Sequence, residues 1–111
     1  MLFRSHFAQA IQLKPDFVQA WTNLGYALAA QGRRNEAIPI YLKALRLKPD
    51  HALAHQNLGV ALLQEGRPEE GMQHFAAVLQ LDPANAEARI GLQQAQMRVM
   101  GKPVPGSEGT R

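Results

Sequence analysis

The sequence predicts an all-α fold, an α-solenoid of antiparallel helical hairpins. Three observations predict it. The 111-residue chain matches itself at a spacing of 34 residues; apolar residues inside each unit recur at helical spacing; and a Gly-Arg pair punctuates each of the two units where the chain must reverse. A period of this length is the signature of stacked repeats that bury their apolar faces against their neighbours.

The register is dense. Phe7, Tyr41 and Phe75 fall in one column, Leu13, Leu47 and Leu81 in another, and Pro15, Pro49 and Pro83 in a third. A second set aligns Ala20, Ala54 and Ala88; Leu24, Leu58 and Leu92; Gly25 with Gly59; and Ala27, Ala61 and Ala95. The array therefore divides into a half repeat at 1–15, full repeats at 18–51 and 52–85, a capping helix at 86–99 and a disordered tail at 100–111.

The half repeat carries Phe7, Ala10, Ile11 and Leu13 in the register of a second helix. Phe3 stands where later units have Ala37 and Gly71, so Phe3 and Phe7 are the candidate self-association patch. In the first full repeat, Ala20, Leu24, Ala27 and Leu28 share a face of the first helix, and Ala37, Tyr41, Ala44 and Leu45 a face of the second. Asp16 and Asp50 precede apolar-periodic runs and are expected N-caps, whose carboxylates accept orphan backbone N–H groups. Pro68 suits the first position of its helix. Pro39, about one turn in, predicts a late start or a slight kink. Gly25 and Gly59 sit mid-helix at a cost of roughly 1 kcal/mol each relative to Ala, and the expected reason is close approach to Ala37 and Gly71 on the partner helices.

Residues 86–99 predict a third first-helix with Ala88, Leu92, Ala95 and Val99 facing back onto the preceding unit. Its opposite face carries Arg89, Gln93 and Gln96, a polar surface suited to ending an array. The tail GKPVPGSEGTR has the Pro, Gly and Ser content of a disordered segment.

Trp21, Leu24 and Gly25, followed by Ala37, Tyr41, Ala44 and Pro49, resemble the tetratricopeptide repeat (TPR) family. The second copy resembles it through Leu58, Gly59, Phe75 and Pro83, and departs with His55 for the aromatic, Gly71 for Ala and Val78 for Ala. The resemblance extends to about residue 99 and implies an interaction scaffold, because this family is mostly non-catalytic. It also implies that first helices line a concave surface. That surface would carry Gln19, Thr22, Asn23 and Tyr26, then Leu53, Gln56, Asn57 and Val60, then Glu87, Ile90 and Gln94, as candidate contacts for an extended peptide. Asn23 and Asn57 are equivalent, and two carboxamides one repeat apart suit a peptide backbone because each offers a donor and an acceptor. This resembles the asparagine ladder in the repeat arm of O-GlcNAc transferases; bracing of the neighbouring helix is the competing role. Family members that grip the C-terminal carboxylate of chaperones present Lys and Arg beside Asn, whereas this chain has Thr22, Tyr26, Leu53, Glu87 and Gly91 there. No such clamp is expected.

Composition narrows the rest. Residues 1–51 carry seven Lys and Arg against three acids, residues 52–85 one against four, and residues 86–111 four against two, within a net charge of +3. A continuous basic stripe with interleaved aromatics is missing, which argues against nucleic acid. No run reaches the length of about 20 apolar residues that spans a bilayer, so a cytoplasmic protein without a membrane partner is the default. The chain has no Cys, so neither a disulfide framework nor a Cys-based zinc site is expected.

Candidate chemistry is sparse. His51 and His55 have ligand spacing but lack the third and fourth ligands zinc requires; His55 is read as filling the place of Trp21. His6 and His74 are expected on the solvated convex side. Glu65, Glu69 and Glu70 suit a solvated turn and helix start. The basic group Arg33, Arg34, Lys43, Arg46 and Lys48 is either a solvated face or the complement of a second copy's acidic repeat. Neither a nucleophile with its base nor an acid–base pair is apparent, so no enzyme, cofactor or metal is expected. Two functions remain: a module binding a protein or peptide in the concave face, or a self-assembly unit forming homo-oligomers through its N-terminal helix.

Overall fold

The computed structural model describes residues 18–101. The half repeat at 1–15 with Phe3 and Phe7, Asp16, and the tail from 102 onward lie outside the described residues. Five helices run through the described part: α1 Val18–Ala30, α2 Arg34–Leu47, α3 Ala52–Gln64, α4 Pro68–Leu81 and α5 Ala86–Val99. α1, α3 and α5 start 34 residues apart, as do α2 and α4, so the period in the sequence is the period of the fold. Sequential helices pack pairwise; in addition α1 touches α3 and α3 touches α5, while α2 and α4 do not meet. The first helices are therefore crowded on one side and the second helices splayed on the other, which makes the face lined by α1, α3 and α5 concave.

The turns inside the hairpins are set by glycine. Gly32 has φ 81° and Gly66 φ 79°. At the first turn Arg33 N–H reaches the Leu28 carbonyl at 2.9 Å and Gly32 N–H the Ala29 carbonyl at 2.9 Å. At the second, Arg67 N–H reaches Leu62 at 2.8 Å and Gly66 N–H reaches Leu63 at 3.1 Å. This paired pattern is the Schellman motif, which satisfies the last carbonyls of a helix through one left-handed residue. Nothing lies within 4 Å of a Cβ built at either glycine, so substitution there is opposed by the backbone alone. Gly66→Ala is expected to cost about 1–2 kcal/mol, readable as a lowered midpoint in thermal unfolding; an unchanged midpoint would show that the turn relaxes freely.

Helix starts depart from expectation. Asp50 is not the N-cap of α3: His51 holds that position, without a side-chain cap bond. The side-chain cap observed is Asn85, whose Oδ1 accepts from Ala88 N–H at 2.9 Å at the start of α5. Asp50 is one residue too early to reach the orphan donors, since a cap serves the second or third N–H after itself. Pro68 occupies the first turn of α4 as expected. α2 begins at Arg34 and continues through Pro39, so there is no late start; Pro39 is exposed, where its ring displaces no packing.

The core has two clusters. The larger joins Trp21, Leu24, Leu28, Ala37, Tyr41, Ala44 and Leu45 to Ala54, Leu58, Ala61 and Leu62 of α3. The smaller holds Leu63, Phe75, Val78, Ala88 and Ala95. α3 contributes to both, so it couples the repeats. The reason for the mid-helix glycines also shifts. A Cβ at Gly25 would fall 2.5 Å from the Tyr41 ring and one at Gly59 2.9 Å from the Phe75 ring; the aromatic of the second helix, not Ala37, excludes a side chain at Gly25. Gly71 does meet the expected region, with its Cβ position 3.1 Å from the Gly59 carbonyl oxygen.

The C-terminal helix buries Ala88 and Ala95 completely, but Val99 is 39 % exposed and does not pack inward. Met97 and Met100 are more exposed still. Val99, Met100 and Gln96 join Met72 around a shallow depression of about 330 Å³, so this end is less polar than Arg89, Gln93 and Gln96 suggested. No helix among the described residues is long and apolar enough to cross a membrane.

Candidate functional site

The concave face contains a groove of about 460 Å³ between α1 and α3, lined by Tyr26, Ala29 and Ala30 of α1, Tyr41 of α2, Gln56, Asn57, Val60, Ala61 and Gln64 of α3, and Glu87 of α5. Its floor follows from the repeat. Ala29, Ala30 and Ala61 are too small to fill the angle between neighbouring first helices, while Tyr41 reaches in from the second helix behind. The Tyr41 ring is 1 % exposed, and burial, followed by the neighbouring Tyr26, pushes its phenol up to about 12. It therefore remains a neutral phenol at physiological pH.

Five residues expected at the face line this groove: Tyr26, Gln56, Asn57, Val60 and Glu87. Tyr26 is 62 % exposed. Asn57 has no hydrogen-bond partner among the described residues, and Gln56 Oε1 is buried without a donor. Gln19 and Asn23 lie outside the lining and bond each other, Gln19 Nε2 donating to Asn23 Oδ1 at 3.0 Å. Leu53 and Ile90 are exposed beyond its edge. Thr22 is not presented at all. It is fully buried and donates its hydroxyl to the Val18 carbonyl at 3.0 Å, because its position turns away from the stripe by one residue's rotation. Tyr41, Ala29, Ala30, Ala61 and Gln64 were missed; the i+4 continuation from Tyr26 and from Val60 reaches Ala30 and Gln64, but Tyr41 belongs to a second helix and no first-helix stripe finds it.

The two junctions differ. Gly91 occupies the place equivalent to Asn23 and Asn57, and a Cβ there would lie 2.5 Å from two carbons of Phe75. The Phe75 ring thus leans into α5, whereas Asn57 keeps its side chain beside Tyr41 and leaves space.

The tetratricopeptide repeat family model matches residues 4–52 and 28–86. The chain belongs to the tetratricopeptide repeat family. A search of the curated proteins found no match. Among solved structures, the TPR array is similar to the first TPR of Spaghetti (RPAP3) bound to HSP90 peptide SRMEEVD, with TM-score 0.84 and 20% identity over 88% of this chain and 78% of that one. At that identity the likeness is one of fold.

Outside the groove, the TPR helices use their charges on one another. Arg33 forms a paired bond with Glu36 at 2.7 and 2.9 Å, and Arg34 meets Glu65 at 2.9 Å between the start of α2 and the end of α3. Lys43 stands 5.6 Å from the Trp21 ring centroid. The basic group is thus partly spent within the chain rather than left for a second copy.

His74 is not on a solvated side: it is half-buried, and its Nδ1 lies 3.0 Å from His55 Nδ1. His55 Nε2 is 2.7 Å from the Pro49 carbonyl, which only accepts, so Nε2 carries the proton. In the neutral pair His55 Nδ1 is then the acceptor and His74 Nδ1–H the donor. Burial, then His55, lowers the His74 pKa, with Glu70 opposing; burial, Lys48 and His55 lower that of His51, with Asp50 opposing. Groups depressed in the folded state bind protons more readily when unfolded, so stability is full above the ordinary histidine value of about 6.5 and is lost as pH falls below it. The thermal midpoint is expected to drop between pH 7.5 and 5.5 and to drop less in His74→Leu; equal slopes would show that the pair contributes nothing. No group of three or more potential metal ligands gathers among the described residues.

Proposed function

We propose that the chain is a non-catalytic protein–protein interaction module that takes an extended peptide segment along its concave face, with the α1–α3 groove as the principal contact. The observation that supports this most is the Asn57 amide. It lines an open groove, has no partner among the described residues, and offers one donor and one acceptor, which is what a peptide unit requires. The first TPR of RPAP3, similar to this chain in fold, is bound to a peptide, which agrees with the same use of the fold.

Asn23 is already engaged by Gln19, so the two amides are not equal partners. Asn57→Ala is expected to weaken capture of a selected peptide about tenfold, the worth of one or two hydrogen bonds, while thermal stability changes little; Asn23→Ala is expected to weaken it less. Isothermal titration with both variants separates the roles: loss of fold in Asn57→Ala would support bracing instead. The self-assembly reading loses one support, because Arg34 and Glu65 already pair inside the chain.

A further inference from the structure

The groove carries a charge at odds with the rest of the molecule. Within a chain of net charge +3, neither α1 nor α3 contains an Asp, Glu, Lys or Arg. The charged side chain lining the groove is Glu87. Of the cations on α5, Arg89 is outside the lining, and Arg98 is tied back by its guanidinium to the Leu63 carbonyl at 2.9 Å. The exposed Tyr26 ring offers a π face that attracts cations.

Glu87 also stands in the first turn of α5, where a carboxylate favours the helix dipole. That role needs only its place in the sequence. Its position in the groove wall is additional, and Tyr26 of α1 lines the same groove.

We propose that this groove selects a cationic side chain, Lys or Arg, from an extended segment otherwise free of acidic residues, and seats it between the Tyr26 ring and the Glu87 carboxylate. This rests on the peptide-binding reading and specifies its ligand. An acidic peptide of the kind named for the RPAP3 domain, with two Glu and one Asp in SRMEEVD, would meet Glu87 with like charge and find no free cation on the groove wall.

The probe is a displayed library of random nonapeptides selected on the full chain, followed by titration of individual synthetic winners. The expected result is enrichment of Lys and Arg with depletion of Asp and Glu, a loss of about tenfold in affinity when the enriched cation is replaced by Gln, and disappearance of that preference in Glu87→Gln. Circular dichroism confirms that the variant is folded. Winners without charge bias, or with a bias that Glu87→Gln leaves intact, would overturn the cation inference while leaving peptide binding in place. Winners that bind a Tyr26→Ala, Asn57→Ala double variant unchanged would remove the groove reading itself, and the inference with it.

Discussion

Phe75→Ala is expected to lower the free energy of unfolding by about 3–5 kcal/mol. The ring is 0 % exposed and fills the space between α3, α4 and α5, with the backbones of Gly59 and Gly91 against it. Its removal takes away transfer free energy and leaves a cavity that three helices must collapse to close. Small domains have only about 5–15 kcal/mol in total, and the smaller cluster contains few other large side chains, so α5 should detach before the first repeat unfolds. Urea denaturation followed by helicity would show a lowered midpoint, and hydrogen exchange would rise first in residues 86–99. A loss below about 1 kcal/mol, the scale of an average substitution, would mean that the ring does not hold the end of the array.

Gly91→Ala should be the second large effect, and its sign is decided by two opposing terms. Replacing a helical Gly by Ala gains about 1 kcal/mol in propensity. Overpacking a filled core costs about 1–3 kcal/mol, and here the new methyl would lie 2.5 Å from both Cε1 and Cζ of Phe75, a ring with no solvent side to move into. Repulsion should win, with a net loss of up to about 2 kcal/mol. The decisive control is the same substitution beside Phe75→Leu: with the ring gone, propensity should dominate and Gly91→Ala should stabilise that background. If Gly91→Ala destabilises both backgrounds equally, the ring is not the reason for the glycine.

These two residues also show what the sequence made legible. The column Phe7, Tyr41 and Phe75 was visible as a repeat position, and a recurring aromatic on an apolar face announces a core residue. What it packs against was not visible. Gly25 was assigned to close approach of Ala37, whereas the contact is with Tyr41, because a large ring from the next column reaches farther than helix spacing alone suggests. Asp50 met every local requirement of a cap except register, and one residue of offset put it beyond reach. The half-buried His55–His74 pair joins residues 19 apart in sequence, a relation no periodic pattern contains.

The candidate site divides in the same way. Helical spacing grouped Tyr26, Asn57, Val60 and Glu87 along one side of the first helices, since rotation per residue fixes which side chains share a face, and these four line the groove. Thr22 fell on the edge of that stripe and was buried. Tyr41 enters from behind, beside the small side chains of Ala29, Ala30 and Ala61.

By itself the sequence determined the period, the helices, their turns and the apolar face of each, because these depend on local chemistry and a rotation of about 100° per residue. Tertiary structure decided which faces are left open, that Phe75 closes one junction while Asn57 leaves the other as a groove, and that one carboxylate rather than the surplus of cations stands in its wall. Those outcomes depend on distances between residues far apart in the chain, and packing fixes such distances only after the helices have met.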